Sequence, residues 1–237
     1  MKVKMKRVLL LLVVIFSVSC SSSKFFTSDV KPVEINEMIK IEPFSYISLI
    51  EKGDRGIYND SISKYAKIVL NESLETFREK LRLSSEEIIL TDSLERTKLE
   101  QEIYFLILSA ERNKNRKKKH RTNVEIPPLI DSLLSVYDKR FGLIIVQKGF
   151  TRAKGNYGGQ VAKAVGMGIL TGLATGTAYY QSPIKANSIL YAVIVDNKEK
   201  NVAFYNSSVM QDREPTEKGN ITKQLQYVFE KYFWEKQ

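Results

Sequence analysis

Residues 141–150 read FGLIIVQKGF. Leu143, Ile144, Ile145 and Val146 form an unbroken apolar centre in this stretch. A half-exposed strand would alternate apolar and polar side chains. A continuous centre instead predicts a strand buried on both faces, in the middle of a sheet with layers above and below it.

The neighbours on the C-terminal side fit that frame. Residues 188–196 and 201–210 are rich in Val, Ile, Tyr and Phe, and the polar loop Asn197-Lys198-Glu199-Lys200 separates them. That pattern predicts a β-hairpin. Ile221, Leu225, Val228, Phe229 and Tyr232 then recur at helical spacing, so residues 217–234 read as a closing amphipathic helix.

Toward the N-terminus, residues 44–50 (FSYISLI) alternate as a strand does. Ile62, Tyr65, Ala66, Val69, Phe77 and Leu81 share one stripe, which predicts a helix over 61–81. Residues 86–90 (EEIIL) read as a short strand. Asp92 and Glu95 have capping-box spacing for a long helix to about residue 112, with Leu99, Ile103, Leu106 and Ile107 inward. Pro127 and Pro128 introduce a third helix over 129–139. The expected fold is one α/β domain over residues 44–237, with a mixed sheet of about five strands and helices packed on it. Its order is β-α-β-α-α-β, a glycine-rich insert, then β-β-α.

The insert covers residues 154–186. Gly168, Gly172 and Gly176 are four apart, so on a helix they would form one smooth face that another backbone can approach. Residues 164–181 carry no charge. Three readings stay open: a packing or oligomerisation hairpin, a segment that enters a bilayer, and a flexible surface excursion. The spacing of Gly166, Gly168 and Gly172 is a poor match to a dinucleotide loop, because no strand directly precedes it. A P-loop is excluded, since no Gly-Lys-Ser or Gly-Lys-Thr occurs.

The formal net charge is +10 over 237 residues, and much of it is local. Arg112, Lys114, Arg116, Lys117, Lys118, Lys119 and Arg121 lie within ten residues. Such a block stays solvated, complements the carbonyl end of the preceding helix, and can face anionic head groups or an acidic protein. No aromatic residues interleave it, which argues against nucleic acid.

The chain has one cysteine and one histidine. His120 sits among the basic residues with no adjacent carboxylate to orient it, so a nucleophile–histidine device is not expected. No His/Cys metal cluster can be assembled from them. Asp54, Asp60, Asp196 and Asp212 fall near expected loop ends, where capping and turn roles account for them. The expectation is a protein without enzymatic activity, cofactor, metal or small-molecule substrate.

The remaining stretch is the leader. Lys2, Lys4, Lys6 and Arg7 precede nine apolar residues, Val8 to Phe16, and then Ser17-Val18-Ser19-Cys20. Nine apolar residues are too few to span a bilayer, and the order basic, apolar, small is that of a secretory signal. Val18, Ser19 and Cys20 resemble the lipobox of bacterial lipoproteins, with a departure at Ser17, where leucine is commoner. The resemblance implies a signal peptide over 1–19 and lipidation of Cys20, with residues 20–43 as the lipidated start and linker. Ser21 after the cysteine implies the outer membrane of a Gram-negative bacterium, facing the periplasm. The order of elements from Phe44 to Trp234 also resembles envelope lipoproteins of the curli-secretion-channel and penicillin-binding-protein-activator type. That likeness implies a compact α/β core without catalytic residues. The functional expectation is a scaffold or accessory domain that binds an envelope protein or self-assembles through the insert. The alternative is an oligomeric pore that inserts residues 164–181.

Overall fold

The computed structural model describes residues 25–175 and 183–234. The strands are β1 (Phe26–Thr27), β2 (Met38–Ile41), β3 (Phe44–Ile50), β4 (Ile57–Tyr58), β5 (Leu83–Ile88), β6 (Phe141–Arg152), β7 (Asn187–Asp196) and β8 (Asn201–Gln211). The helices are α1 (Asp60–Glu75), α2 (Arg78–Leu81), α3 (Ser93–Lys114), α4 (Pro128–Val136), α5 (Asn156–Thr175) and α6 (Lys218–Phe233).

β6 is the axis of the sheet. β7 pairs with it antiparallel along one edge. Its other edge is shared: β2 lies parallel to the first part and β3 parallel to the second. Beyond β7 come β8 and then β1, both antiparallel; beyond β2 comes β5, parallel. β4 pairs antiparallel with β3. Glu42 and Pro43 separate β2 from β3, and Pro43 has no N–H to give to a ladder.

The single mixed α/β domain agrees with expectation, but the sheet has eight strands rather than five. β1 and β4 are two residues each, too short to show a period. β2 is hidden for another reason. Its four residues, MIKI, are all buried, including a lysine. The Lys40 amine lies 3.4 Å from Glu75 and 3.3 Å from Glu87, and donates to Asn71. Partners on α1 and β5 make a charge tolerable inside a buried strand. The stretch read as a linker, 20–43, therefore supplies two strands.

The continuous apolar centre of β6 is buried from Phe141 through Gln147, as expected. Leu143 and Ile145 join a core closed by α1, α2 and α6, with Leu70, Leu74, Leu225 and Phe229. Ile144 and Val146 join a second core on the opposite face, with Leu99, Ile103 and Leu106 of α3 and Ile130 and Leu134 of α4. The domain thus has three layers.

The helix expected over 61–81 is broken in two. The Thr76 hydroxyl donates to the Ser73 carbonyl at 2.7 Å, competing with helix propagation. Phe77 leaves the helical path to stack on Trp234, 5.2 Å between centroids. The Asp92 cap is as expected, its carboxylate accepting from the Leu94 and Glu95 backbones at 2.9 and 2.8 Å.

Candidate functional site

Side chains alternate along β6, so Gln147 and Lys148 point to opposite faces. Gln147 is fully buried on the face closed by α6. It accepts from the Ser45 hydroxyl at 3.2 Å and donates to the Ser188 hydroxyl at 3.2 Å and the Pro215 carbonyl at 2.6 Å. Ser188 in turn donates to Gln224 of α6 at 2.7 Å. Every polar group of this network has a partner.

Lys148 meets a different surface. α3 seals the second face over Ile144 and Val146, but beyond them a groove of about 960 Å³ opens between α3 and strands β3, β6 and β7. Phe44, Ile103 and Val146 line its apolar part, and Tyr46, Tyr58 and Tyr191 bring hydroxyls to it. Tyr104 and Phe105 form its rim on α3, 48% and 64% exposed, edge to face at 5.6 Å.

Two carboxylates line the groove, and both are engaged. Glu100 lies 3.5 Å from Arg96 and beside Tyr46, whose phenol burial and the Glu100 charge push well above the usual range. Glu111 accepts from the Tyr205 hydroxyl, from Ser207 at 3.5 Å and from Asn115 at 3.1 Å. Burial, then the Glu111 hydrogen bond, likewise push the Tyr205 phenol up. The Lys148 amine sits 4.9 Å from the Tyr104 ring centroid. Burial lowers its pKa, and no carboxylate offsets that shift. Among the described residues, no group of three His, Cys, Asp or Glu side chains is placed to hold a metal.

No family model matches the chain, and no curated protein matches it. Among solved structures, a dodecamer of a point variant of PelC from Paraburkholderia phytofirmans is similar over 88% of this chain and 94% of that chain. The identity is 6% and the TM-score 0.34.

The basic run divides into structural and exposed members. Lys114, half-buried, donates to Ser207 at 3.1 Å, and its amine lies 5.5 Å from the Tyr205 ring centroid; burial lowers its pKa. Arg121 folds back and donates to the Lys114 carbonyl at 2.9 Å and to the Arg116 carbonyl at 3.4 Å. It thereby satisfies carbonyls at the C-terminal end of α3 that the helix leaves open. Arg112, Arg116, Lys117 and Lys119 are exposed. Lys118 lies in the short turn Lys118–His120. Phe26 of β1 pairs opposite Tyr205, so the basic end of α3 lies beside the first described strand.

Gly168 and Gly172 lie in α5, a helix that follows β6 closely. Its first ten residues, 156–165, include none that is buried. The candidate lipidation residue Cys20, the leader and Gly176 lie outside the described residues. Among the described residues, no helix is long and apolar enough to cross a membrane.

The acids marked in the sequence have local roles. Asp196 forms a bidentate pair with Arg140 and accepts from the Lys198 backbone at the hairpin turn. Asp54 pairs with Arg152, Asp60 with Lys64, and Asp212 accepts from the Lys185 backbone. Sequence reasoning missed the groove. Its one local signal was the pair Gln147-Lys148 at the end of an apolar strand.

Proposed function

We propose that the protein is a non-enzymatic envelope lipoprotein, acylated at Cys20. In this reading the α/β domain works by contact, with a protein partner or with further copies of itself through α5. The observation that carries the proposal is the order of the leader: four basic residues, nine apolar residues and Ser17-Val18-Ser19-Cys20, six residues before β1. Acylation would hold the domain stably at a lipid surface, because each buried CH₂ contributes about 0.8 kcal/mol. The exposed cations Arg112, Arg116, Lys117 and Lys119 then lie near the strand that follows the tether, where anionic head groups attract each by about 1 kcal/mol. Ser21 supports an outer-membrane destination facing the periplasm of a Gram-negative cell.

The contact surface in this proposal is α5. A helix bearing Val161, Ala162, Ala164 and Val165, with no buried residue in its first ten, offers a surface that no described residue fully covers. The glycines at 168 and 172 allow close approach of a second helix. β6 and β7 are antiparallel neighbours, with Phe150 paired to Asn187, so a short turn can replace the segment between them.

Fractionation of cells making Cys20→Ala tests the tether. The variant should appear in the soluble fraction or as an uncleaved precursor; membrane-bound protein of mature mass refutes acylation there. Replacing residues 155–185 with a short Gly-Ser turn tests the contact. Crosslinked oligomers or partner adducts should vanish while the melting transition stays cooperative. Adducts that persist refute the role of α5.

A further inference from the structure

We propose that the groove between α3 and the second face of the sheet binds a long-chain carboxylate, its acyl chain along the apolar part and its head on Lys148. The site is independent of lipidation and of α5.

The volume, about 960 Å³, lies at the upper end of the usual range for small-ligand pockets. The apolar part is the continuation of a real core: Phe44, Ile103 and Val146 belong to the cluster that α3 seals farther along. An acyl chain laid there would extend that cluster, gaining with each CH₂ removed from water.

The charge of the head group follows from what is and is not paired. Glu100 is beside Arg96, and Glu111 is occupied by Tyr205, Ser207 and Asn115. The half-buried Lys148 has no hydrogen bond or ion pair to any described residue; the Tyr104 ring face is its only electrostatic contact among them. A half-buried cation that neither of the groove's carboxylates pairs with is costly unless something brings it an anion. Other buried or half-buried cations have polar partners among the described residues: Lys40 has Glu75 and Glu87, Arg152 has Asp54, and Lys114 donates to Ser207. The exception faces the groove. A carboxylate is the complementary head, and Tyr46, Tyr58 and Ser48 add hydroxyls at the groove wall.

The test is calorimetric titration of the full chain carrying Cys20→Ala with decanoate and, separately, with decanol, both below their aggregation concentrations. Decanoate should bind at least tenfold more tightly than decanol. Lys148→Met should remove that preference, and Lys148→Arg should restore it. No binding of decanoate, equal affinity for the two probes in the Lys148 protein, or an undiminished preference in Lys148→Met overturns the proposal. The comparison of the two probes needs no variant at position 148, so it stands even if a substitution there perturbs folding.

Discussion

The two faces of one sheet are finished differently, and β6 shows it within two residues. On the face closed by α1, α2 and α6, Gln147 is fully buried and its amide is satisfied on both ends. On the face closed by α3 and α4, Lys148 stands half-buried in a groove, with no ion pair to any described residue. Closed apolar packing with satisfied polar groups stabilises a fold. A groove with exposed aromatics and a half-buried amine that no described carboxylate pairs with does not, and features of that kind mark surfaces that meet something else. The difference teaches where substitutions should act on stability and where on binding.

The largest separation should come from aromatic truncation. Phe229 is fully buried between Phe204 and Trp234, so Phe229→Ala should cost about 3–5 kcal/mol in denaturant unfolding. Phe105, on the groove rim, is 64% exposed, and Phe105→Ala should cost under about 1 kcal/mol. Similar costs at both positions would break the contrast.

The next effect is at the adjacent pair. Gln147→Leu strands the Ser45 hydroxyl and the Pro215 carbonyl, and should cost about 1–3 kcal/mol. Lys148→Met removes a half-buried charge that has no ion pair with any described residue, and should leave the unfolding midpoint unchanged or raised. A midpoint lowered equally by both would show that Lys148 also has a structural role.

Alkaline pH probes both faces together. Burial raises the phenol pKa of Tyr46 at the groove, Tyr205 beside it and Tyr232 on the closed face. Above about pH 10 the unfolded chain loses those protons while the folded one keeps them. Stability is therefore full below that pH and falls as pH rises through the folded values. The melting temperature measured from pH 8 upward should drop beyond about 10. Tyr232→Phe should lower it at neutral pH, through loss of the bond to the Val30 carbonyl, but soften the alkaline fall. A profile of equal steepness in the variant would refute that role.

The smallest effect is on α5. A Cβ at Gly158 meets nothing within 4 Å, so Gly158→Ala should raise stability by up to about 1 kcal/mol through helix propensity. A Cβ at Gly149 would collide with the Asn187 carbonyl on the neighbouring strand, so the same substitution there should destabilise. Thermal unfolding of the pair checks the opposed signs.

The sequence was legible where a period ran long enough. The apolar centre of β6, the β7–β8 hairpin, the Asp92 cap and the stripe of α6 all follow from spacing of residue types. β2 was not legible, because the partners that bury Lys40 come from Asn71, Glu75 and Glu87, far along the chain. The break after α1 depends on Phe77 finding Trp234, again a tertiary contact. The groove draws its walls from β3, β4, α3, β6 and β7, so no single window contains it. The basic run was legible as a block, but not the inward use of Lys114 and Arg121.

The proposed function requires that the domain be joined to lipid. Intact-mass spectrometry of the native protein extracted from cells measures that join directly. The expected species begins at Cys20 and carries the added mass of acyl chains; a chain beginning at Met1, or one cut at Cys20 with an unmodified thiol, would contradict it.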